Sequence, residues 1–323
     1  APIRRAAPVI NAVLPVSFIR QVLSKKMSSY HSGPELPVPD DDQIAHSQQL
    51  IERIVQRIEF DGGVISFRDY MQACLYEPGL GYYTAGSTKF GAAGDLITAP
   101  EVSSLFGASL ANHATKLFSD GLSRQILEFG AGTGKLCCDI IQRLGQQKAD
   151  FQAYLILEPS ADLQQRQKQY CQQHLVEQDF AKIRWLDKLP ENFSGLAIGN
   201  EVLDAMPVNV LVKDAGWLEL GVGFNGQQFE WREFARQGEA VDSIREIDVA
   251  NDLPDRYCTE VNLNFRPWCR SLADSCHQAV VLMIDYGYEQ AQYYHLARNT
   301  GTLICYYQHR AHPDPFIYPG LQD

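Results

Sequence analysis

The spacing of apolar and polar residues changes along the chain, from helical near the N-terminus to short runs further on. Apolar residues recur every three or four positions in residues 44–60 and again from Tyr70 to Tyr76, which predicts two amphipathic helices. Ser66, with Asp69 three residues later, predicts the N-terminal cap of the second helix. Residues 101–118 predict a further helix, and its core face is expected to hold Val102, Leu105, Phe106, Leu110, Ala114 and Leu117.

Further along, short apolar runs alternate with stretches of helical spacing, and this alternation predicts an α/β fold built on a parallel sheet. Four such runs lie at residues 125–129, 154–158, 182–187 and 195–199. Residues 279–285 predict a fully buried strand, and residues 302–307 predict one more strand. Residues 208–231 instead alternate and contain several glycines, which predicts β-hairpins inserted into the α/β frame.

The turn after the first strand carries three glycines at alternate positions, Gly130, Gly132 and Gly134. Without Cβ atoms the backbone can lie against a ligand, and the helix that follows presents free N–H groups to it. A phosphate-binding P-loop is excluded, because Phe129 and Leu136 stand where that motif needs glycine and a hydroxyl residue. The dinucleotide fingerprint G-x-G-x-x-G is not matched either, since the chain has G-x-G-x-G.

Two acidic residues at the ends of neighbouring strands narrow the choice of ligand. Glu128 lies beside the glycine turn, where it would repel a pyrophosphate but suits the cationic methionine portion of S-adenosylmethionine. Glu158 ends the second strand, a position from which it can accept hydrogen bonds from both ribose hydroxyls. With the turn, these acids predict S-adenosylmethionine as cofactor. Asp187 ends the third strand and either reaches the adenine amino group or starts an ordinary turn.

A polar run that contains Asn200, Glu201 and Asp204 follows the fourth strand. In open α/β sheets, ligands bind at the carboxyl ends of the strands, near the point where the strand order reverses. We therefore expect this run to belong to the site, with Asn200 as a cofactor contact. The alternative for Glu201 and Asp204 is capping of a helix N-terminus, where acids are stabilising.

The segment that holds Gly81, Tyr82 and Thr98 is too rich in glycine for a strand and too aromatic for a plain linker. It is either a loop that folds over the bound cofactor, with these residues as contacts, or an ordinary packed connection.

Charge and cysteine spacing exclude several classes of protein. The 323 residues carry a net charge of −11, and residues 1–26 hold five basic residues and no acid, which leaves −16 for the rest. This acidic remainder argues against nucleic acid as a partner and favours a basic substrate, although ordinary solubility accounts for it equally well. No apolar run is long enough to span a bilayer. The eight cysteines form no C-x-x-C pair, so we predict reduced thiols and no bound metal.

The sequence predicts a leader followed by one domain. Residues 1–42 are expected to be a disordered leader and linker. The basic part of the leader is either a transit peptide or sequence upstream of a start at Met27. Residues 43–323 are predicted to form the domain. Its parts are expected to be the N-terminal helices and lid loop (residues 43–120), the cofactor half (121–207), the β insertion (208–262) and the remaining sheet (263–323).

These motifs resemble the MidA-like family of S-adenosylmethionine-dependent methyltransferases. The resemblance runs from residue 70 to residue 323 in the family's order, and it is carried by residues 76–83, 94–101, 127–134, 200–207, 284–287 and 301–309. It implies an α/β class I methyltransferase fold, with a Rossmann-like sheet, an N-terminal helical segment and an inserted β-hairpin region. Family members often have arginine where this chain has Ile304 and Tyr307. The family also continues beyond the last residues of this chain, so we expect a C-terminal truncation that removes a closing antiparallel strand.

Mitochondrial members of the family act as a protein arginine methyltransferase in the assembly of respiratory complex I. The resemblance implies that Glu201 and Asp204, with Asp285 as a third candidate, are catalytic acids that orient an arginine guanidinium. It also implies a protein substrate, such as a subunit of a respiratory NADH dehydrogenase. The alternatives are a methyltransferase for a small molecule or another nucleophile, and a non-catalytic assembly factor that binds the cofactor. The expected compartment is the cytoplasm if the protein is bacterial, with the mitochondrial matrix as the alternative.

Overall fold

The computed structural model describes residues 36–85 and 98–323. Its helices are α1 Asp41–Phe60, α2 Phe67–Tyr76, α3 Ala99–Val102, α4 Ser104–Ser119, α5 Lys135–Gln146, α6 Ala161–His174, α7 Glu177–Phe180, α8 Glu239–Asn251, α9 Phe265–Ser275 and α10 Gln290–Tyr293, with a 3-10 helix at Leu296–Arg298. Its strands are β1 Ile65–Ser66, β2 Gln125–Phe129, β3 Ala153–Leu157, β4 Ile183–Leu186, β5 Phe193–Asn200, β6 Asn209–Lys213, β7 Trp217–Phe224, β8 Phe229–Ala235, β9 Cys258–Val261, β10 Cys276–Ile284, β11 Cys305–Tyr307 and β12 Arg310–His312. No helix within the described ranges is long and apolar enough to cross a membrane.

The described chain divides into two units. The antiparallel-sheet unit comprises residues 36–82, 206–265 and 287–323, and the parallel-sheet unit comprises residues 83–85, 98–205 and 266–286. The domain boundaries expected from the sequence stay predictions, and the predicted leader lies almost entirely outside the described residues.

The parallel-sheet unit is built on five parallel strands in the order β10-β5-β2-β3-β4. The chain runs outward from β2 through β3 to β4 and then returns to β5 on the other side of β2. The strand order therefore reverses between β2 and β5, which is where α/β sheets bind ligands. One face packs Ile126 and Ile198 against α4 and α5, and the other packs Leu127 and Ala197 against α9. The predicted α/β fold is confirmed.

The strand expected at residues 279–285 forms as β10, but the prediction that it is fully buried is wrong. Val281 is 44% exposed, and most of the strand is only partly buried. The reason is its place in the sheet: β10 pairs with β5 on one side and lies at the edge of the described sheet on the other. A continuous apolar run does not reveal which strand occupies an edge.

The core face predicted for residues 101–118 is partly wrong. Leu110 and Ala114 are buried as expected, but Val102 and Leu105 are 71% and 76% exposed. Ser103 explains the difference, because its extended backbone ends α3 and its side chain caps α4 by accepting from the N–H of Leu105. The break changes the direction of the chain, so residues before and just after it leave the stripe that a continuous helix would form.

The antiparallel-sheet unit is a five-stranded sheet in which β7 pairs with β1, β6 and β8, and β6 also pairs with β9. The hairpins predicted within residues 208–231 are confirmed by the antiparallel pairing of β6 with β7 and β7 with β8. The predicted cap of α2 is confirmed as well, since the N–H of Asp69 donates to Ser66 Oγ over 3.0 Å. Helix α8 was not predicted. The strand expected at residues 302–307 is shorter, and as β11 it pairs with β12 outside both large sheets.

Two glycines of the parallel-sheet unit predict opposite effects of the same substitution. At Gly195 the φ angle is +150° and an added Cβ would lie 2.2 Å from the carbonyl oxygen of Gln125, so Gly195→Ala should lower the free energy of unfolding by at least about 2 kcal/mol. At Gly145, inside α5, a Cβ meets no atom within 4 Å, so Gly145→Ala should raise it by about 0.5–1 kcal/mol. Urea unfolding measures both. Equal effects of the two substitutions would contradict this packing of β5 against β2.

Candidate active site

The glycine turn between β2 and α5 leaves open space beside its backbone. Gly130, Gly132 and Gly134 have φ angles of +59°, +53° and +88°, a left-handed conformation that residues with a Cβ rarely adopt. Among the described residues, a Cβ on Gly132 would meet no heavy atom within 4 Å, and one on Gly130 would meet only Val202 Cγ2 at 3.9 Å. The turn therefore forms a bare backbone surface at the carboxyl end of β2, of the kind that a nucleoside ligand can lie against.

The N-terminus of α5 adds hydrogen-bond donors to this surface. Gly134 is the N-cap residue and offers no side chain to the first turn of the helix. Thr133 partly replaces it, because its Oγ1 accepts from the N–H of Lys135 over 3.2 Å and donates to Glu101 Oε1 over 2.7 Å. Glu101 was given no role from the sequence. Its place in one of the segments that match the family was the available signal.

Glu128 lies on β2, just before the glycine turn, and its residue is only 2% exposed. Its Oε2 accepts a hydrogen bond from the hydroxyl of Tyr154 on the neighbouring strand over 2.7 Å. Burial raises the pKa of this carboxyl to about 8, while the Tyr154 hydroxyl acts in the opposite direction. The side chain is thus held close to the point at which its charge changes at physiological pH. Its contact with the methionine portion of the cofactor stays a prediction.

Glu158 directly follows β3 and is 4% exposed. Its Oε1 accepts from the N–H of Ser160 over 3.0 Å, and its Oε2 accepts from Gln167 Nε2 over 3.1 Å. Burial raises the pKa of the carboxyl, and both hydrogen bonds lower it. A carboxylate has about four acceptor positions, so two remain for the ribose hydroxyls of the predicted cofactor.

The three candidate catalytic acids converge at the carboxyl ends of β5 and β10. Because Ile284 pairs with Asn200, the residues after these two parallel strands are neighbours, and the N–H of Glu201 donates to the carbonyl of Ile284 over 2.9 Å. Asp285 Oδ2 accepts from the N–H of Asp204 over 3.3 Å. Within the described residues, one buried oxygen on each of these aspartates has no hydrogen-bond partner.

The carboxyl groups of the acid cluster, Glu201, Asp204 and Asp285, repel one another. Burial raises the pKa of Glu201, and the charges of Asp204 and Asp285 add to this effect. Burial also raises the pKa of Asp204, opposed by a hydrogen bond from the Tyr286 hydroxyl and reinforced by the charge of Asp285. A cation that donates N–H bonds would relieve both the repulsion and the unpartnered oxygens. The cluster can therefore hold a guanidinium or ammonium group.

The cluster carries a backbone feature that the sequence did not reveal. Glu201 has a φ angle of +52°, and a residue with a side chain is held in this conformation only at a cost of about 1–3 kcal/mol. Such strain is concentrated at functional sites, where surrounding contacts impose it. Here the hydrogen bond to Ile284 fixes the peptide, so Glu201 is held at the end of β5 instead of continuing the strand.

The other predicted cofactor contacts are not all brought together. Asp187 is exposed and follows β4, the strand furthest from β10 in the sheet. Thr98 is the N-cap residue of α3 but makes no side-chain capping bond. Gly81 and Tyr82 belong to the antiparallel-sheet unit. There an added Cβ on Gly81 would lie 2.6 Å from backbone nitrogen, so packing alone requires glycine. The cofactor roles of these four residues stay predictions.

The buried acid Glu128 predicts a dependence of stability on pH. Its pKa is raised from an ordinary 4.5 to about 8, so its contribution to stability is complete below pH 4.5 and is lost as the pH rises through 8. Glu128→Gln keeps the shape and removes the titration. It should therefore flatten the fall in unfolding free energy between about pH 5 and pH 8, the interval between the unfolded and folded pKa values, by up to about 1.4 kcal/mol per pH unit. Urea unfolding across this range measures the slope, and identical slopes in the two proteins would refute the assignment.

Comparisons with known proteins agree with this geometry. Residues 109–323 match a family model described as "Putative S-adenosyl-L-methionine-dependent methyltransferase". A solved structure from Burkholderia thailandensis, bound to S-adenosyl-homocysteine, is 39% identical with a TM-score of 0.84, and the match covers 90% of this chain and 75% of that one.

Curated relatives have more distant sequences. The mitochondrial protein arginine methyltransferase NDUFAF7 homolog of Drosophila melanogaster is 28% identical, and the match covers 81% of this chain. The homolog of Caenorhabditis elegans is 26% identical over 94% of this chain. The chain spans 64% of the length of the Drosophila protein and 75% of the length of the Caenorhabditis protein. On the strength of the family match, the glycine turn and the acids around it, the chain belongs to this family of S-adenosyl-L-methionine-dependent methyltransferases.

Proposed function

We propose that the protein transfers a methyl group from S-adenosylmethionine to the side chain of an arginine in a protein substrate. The observation that carries this proposal is the acid cluster of Glu201, Asp204 and Asp285, which follows β5, the neighbour of β2, and β10, the strand on the other side of β5. The names of the curated relatives, which are protein arginine methyltransferases, support the choice of substrate.

The residues around the glycine turn fit the cofactor. The open space at Gly132 accommodates a ligand against the backbone, and the first turn of α5 supplies N–H donors. Glu158 has two acceptor positions left for the ribose hydroxyls. Glu128 places a buried carboxyl group at the end of β2, beside the turn. When bound, S-adenosylmethionine supplies an electrophilic methyl group on a sulfonium sulfur.

The acid cluster suits the nucleophile. A guanidinium is planar, keeps its proton at neutral pH and donates through a rigid fork, so two carboxylates can fix its plane and its position. The unpartnered oxygens of Asp204 and Asp285 are the acceptors that the structure leaves available for that fork. Glu201, whose pKa is raised by burial and by its acidic neighbours, is the residue best suited to take the proton released by methylation.

The Tyr286 hydroxyl and the backbone determine which oxygens face the substrate. Tyr286 donates to Asp204 Oδ2, and the N–H groups of Leu203 and Asp204 donate to Asp285 Oδ2. One oxygen on each aspartate is thus held by the protein, and the other is left for a guanidinium. Most of the rate enhancement is then expected from orientation of the two reactants, as in other in-line displacements.

Partner and compartment complete the proposal. The family resemblance supports a subunit of a respiratory NADH dehydrogenase as the protein substrate, and the acidic character of residues 27–323 suits a basic partner surface. The curated relatives are named as mitochondrial proteins, which supports the mitochondrial matrix as the compartment.

Substitutions in the acid cluster separate catalysis from cofactor binding. Glu201→Gln and Asp204→Asn should each lower the rate of methylation of an arginine-bearing partner by about 100-fold, because each removes a charge that orients the guanidinium. The affinity for S-adenosylhomocysteine should stay within about threefold, since neither residue holds the ribose or the adenine. Mass spectrometry with isotope-labelled cofactor measures the product, and calorimetry measures the affinity.

Glu191→Gln is the matched control, because Glu191 is an exposed acid of the same unit. The methylation rate of this variant should equal that of the unmodified protein. Label on a residue other than arginine, or unchanged methylation by Glu201→Gln and Asp204→Asn, would refute the proposed substrate or the proposed role of the acids.

A further inference from the structure

A buried glutamine links three separate parts of the cofactor site. Gln167 lies in the middle of α6 and is 0% exposed. Its Nε2 donates to Glu158 Oε2 over 3.1 Å and to the carbonyl oxygen of Gly132 over 3.1 Å. Its Oε1 accepts from Trp185 Nε1 on β4 over 3.0 Å. The amide therefore contacts the predicted ribose acid, the glycine turn and the next strand of the sheet at once.

These hydrogen bonds leave the amide a single orientation. Rotation by 180° would place Oε1 against two acceptors, Glu158 and the Gly132 carbonyl, and would place the NH2 group against the indole N–H of Trp185. All three bonds would be lost and replaced by repulsion. Since the group is fully buried, no water compensates for that loss. The orientation of the Gln167 amide is thus fixed by its surroundings, and it fixes them in return.

The backbone of Gln167 also supports the turn. An added Cβ on Gly134 would lie 3.4 Å from Gln167 Cα and 3.3 Å from Cys171 Sγ, so α6 packs directly against the end of the turn. The same residue thus packs against the turn at Gly134 and hydrogen-bonds to it at Gly132. A substitution that removes the amide would therefore alter the positions of both the Glu158 carboxylate and the Gly132 peptide.

We infer that Gln167 is a positioning residue of the cofactor site, which holds the Glu158 carboxylate and the Gly132 peptide in the geometry that binds the nucleoside. The inference rests on the S-adenosylmethionine half of the proposed function and is independent of arginine as the substrate. Gln167 acts through Glu158 and Gly132, so its effect should appear in cofactor affinity and in the pH at which that affinity changes.

The pH dependence follows from the bond to Glu158. The N–H groups of Ser160 and Gln167 lower the pKa of this carboxyl, whereas burial raises it. Loss of the Gln167 donor should raise the pKa further, so that protonation of Glu158 weakens binding at a higher pH. Glu128 on β2 also interacts electrostatically with Glu158. Its hydrogen bond from Tyr154 is retained in the variants, so comparison with the unmodified protein isolates the change at Glu158.

Three variants test the inference by calorimetric titration with S-adenosylhomocysteine between pH 5.5 and pH 8.5. Gln167→Met keeps the volume and removes the hydrogen bonds, and it should weaken binding about tenfold at pH 7 with a steeper loss toward acid pH. Gln167→Glu should bind most weakly at pH 8.5, and its deficit should shrink as the pH falls, because a protonated glutamic acid regains one donor. Gln173→Met, an exposed site on the same helix, is the matched control and should bind like the unmodified protein.

A purely structural role of Gln167 predicts a loss of affinity that is the same at every pH. That result, or unchanged affinity in Gln167→Met, would overturn the inference. If Gln167→Met fails to fold, Trp185→Phe decides, since it keeps the amide but removes the N–H that orients it. It should weaken binding about threefold, and unchanged binding would overturn the inference. Failure of the unmodified protein to bind S-adenosylhomocysteine would instead refute the cofactor half of the proposed function, and the inference with it.

Discussion

The close approach of backbone to backbone at the glycine turn is the constraint on which the rest of the site depends. Gly130, Gly132 and Gly134 all have positive φ, and α6 packs so closely against Gly134 that little room is left for a side chain. This turn lies where the strand order reverses, so the carboxyl ends of β5 and β3 lie on either side of it. An acid placed after either strand then lies near the same crevice.

Burial of a carboxylate is unfavourable, and the acids beside the glycine turn differ from those of the acid cluster in how far the protein compensates for it. Glu158 receives two donors from the protein and Glu128 receives one, which stabilises each carboxyl within the unit. Asp204 and Asp285 each retain a buried oxygen without a partner in the described chain, beside a third acid. Carboxylates that are satisfied by the fold serve as fixed recognition groups, whereas unsatisfied ones favour a cation from outside.

Features that depend on local sequence could be predicted, whereas those that depend on distant neighbours could not. The five strands of the parallel sheet, the glycine turn and the cap at Ser66 follow from runs of a few residues, and all of these were expected. The edge position of β10, the break at Ser103 and helix α8 were missed, because residue spacing does not give the order of strands or small changes in chain direction. Gln167 was missed for a related reason. Its partners lie 9 to 35 residues away in sequence, and glutamine on a polar helix carries no signal of burial.

The most direct test of the central claim is calorimetric titration of the unmodified protein with S-adenosylhomocysteine and, separately, with NAD. Both ligands contain adenosine, but only NAD carries a pyrophosphate, and the G-x-G-x-G spacing of the turn does not match the dinucleotide fingerprint that binds one. The account predicts saturable binding of S-adenosylhomocysteine with a stoichiometry of about one, as expected for a single turn of this kind, and no binding of NAD. Binding of NAD, or binding of neither ligand, would contradict it.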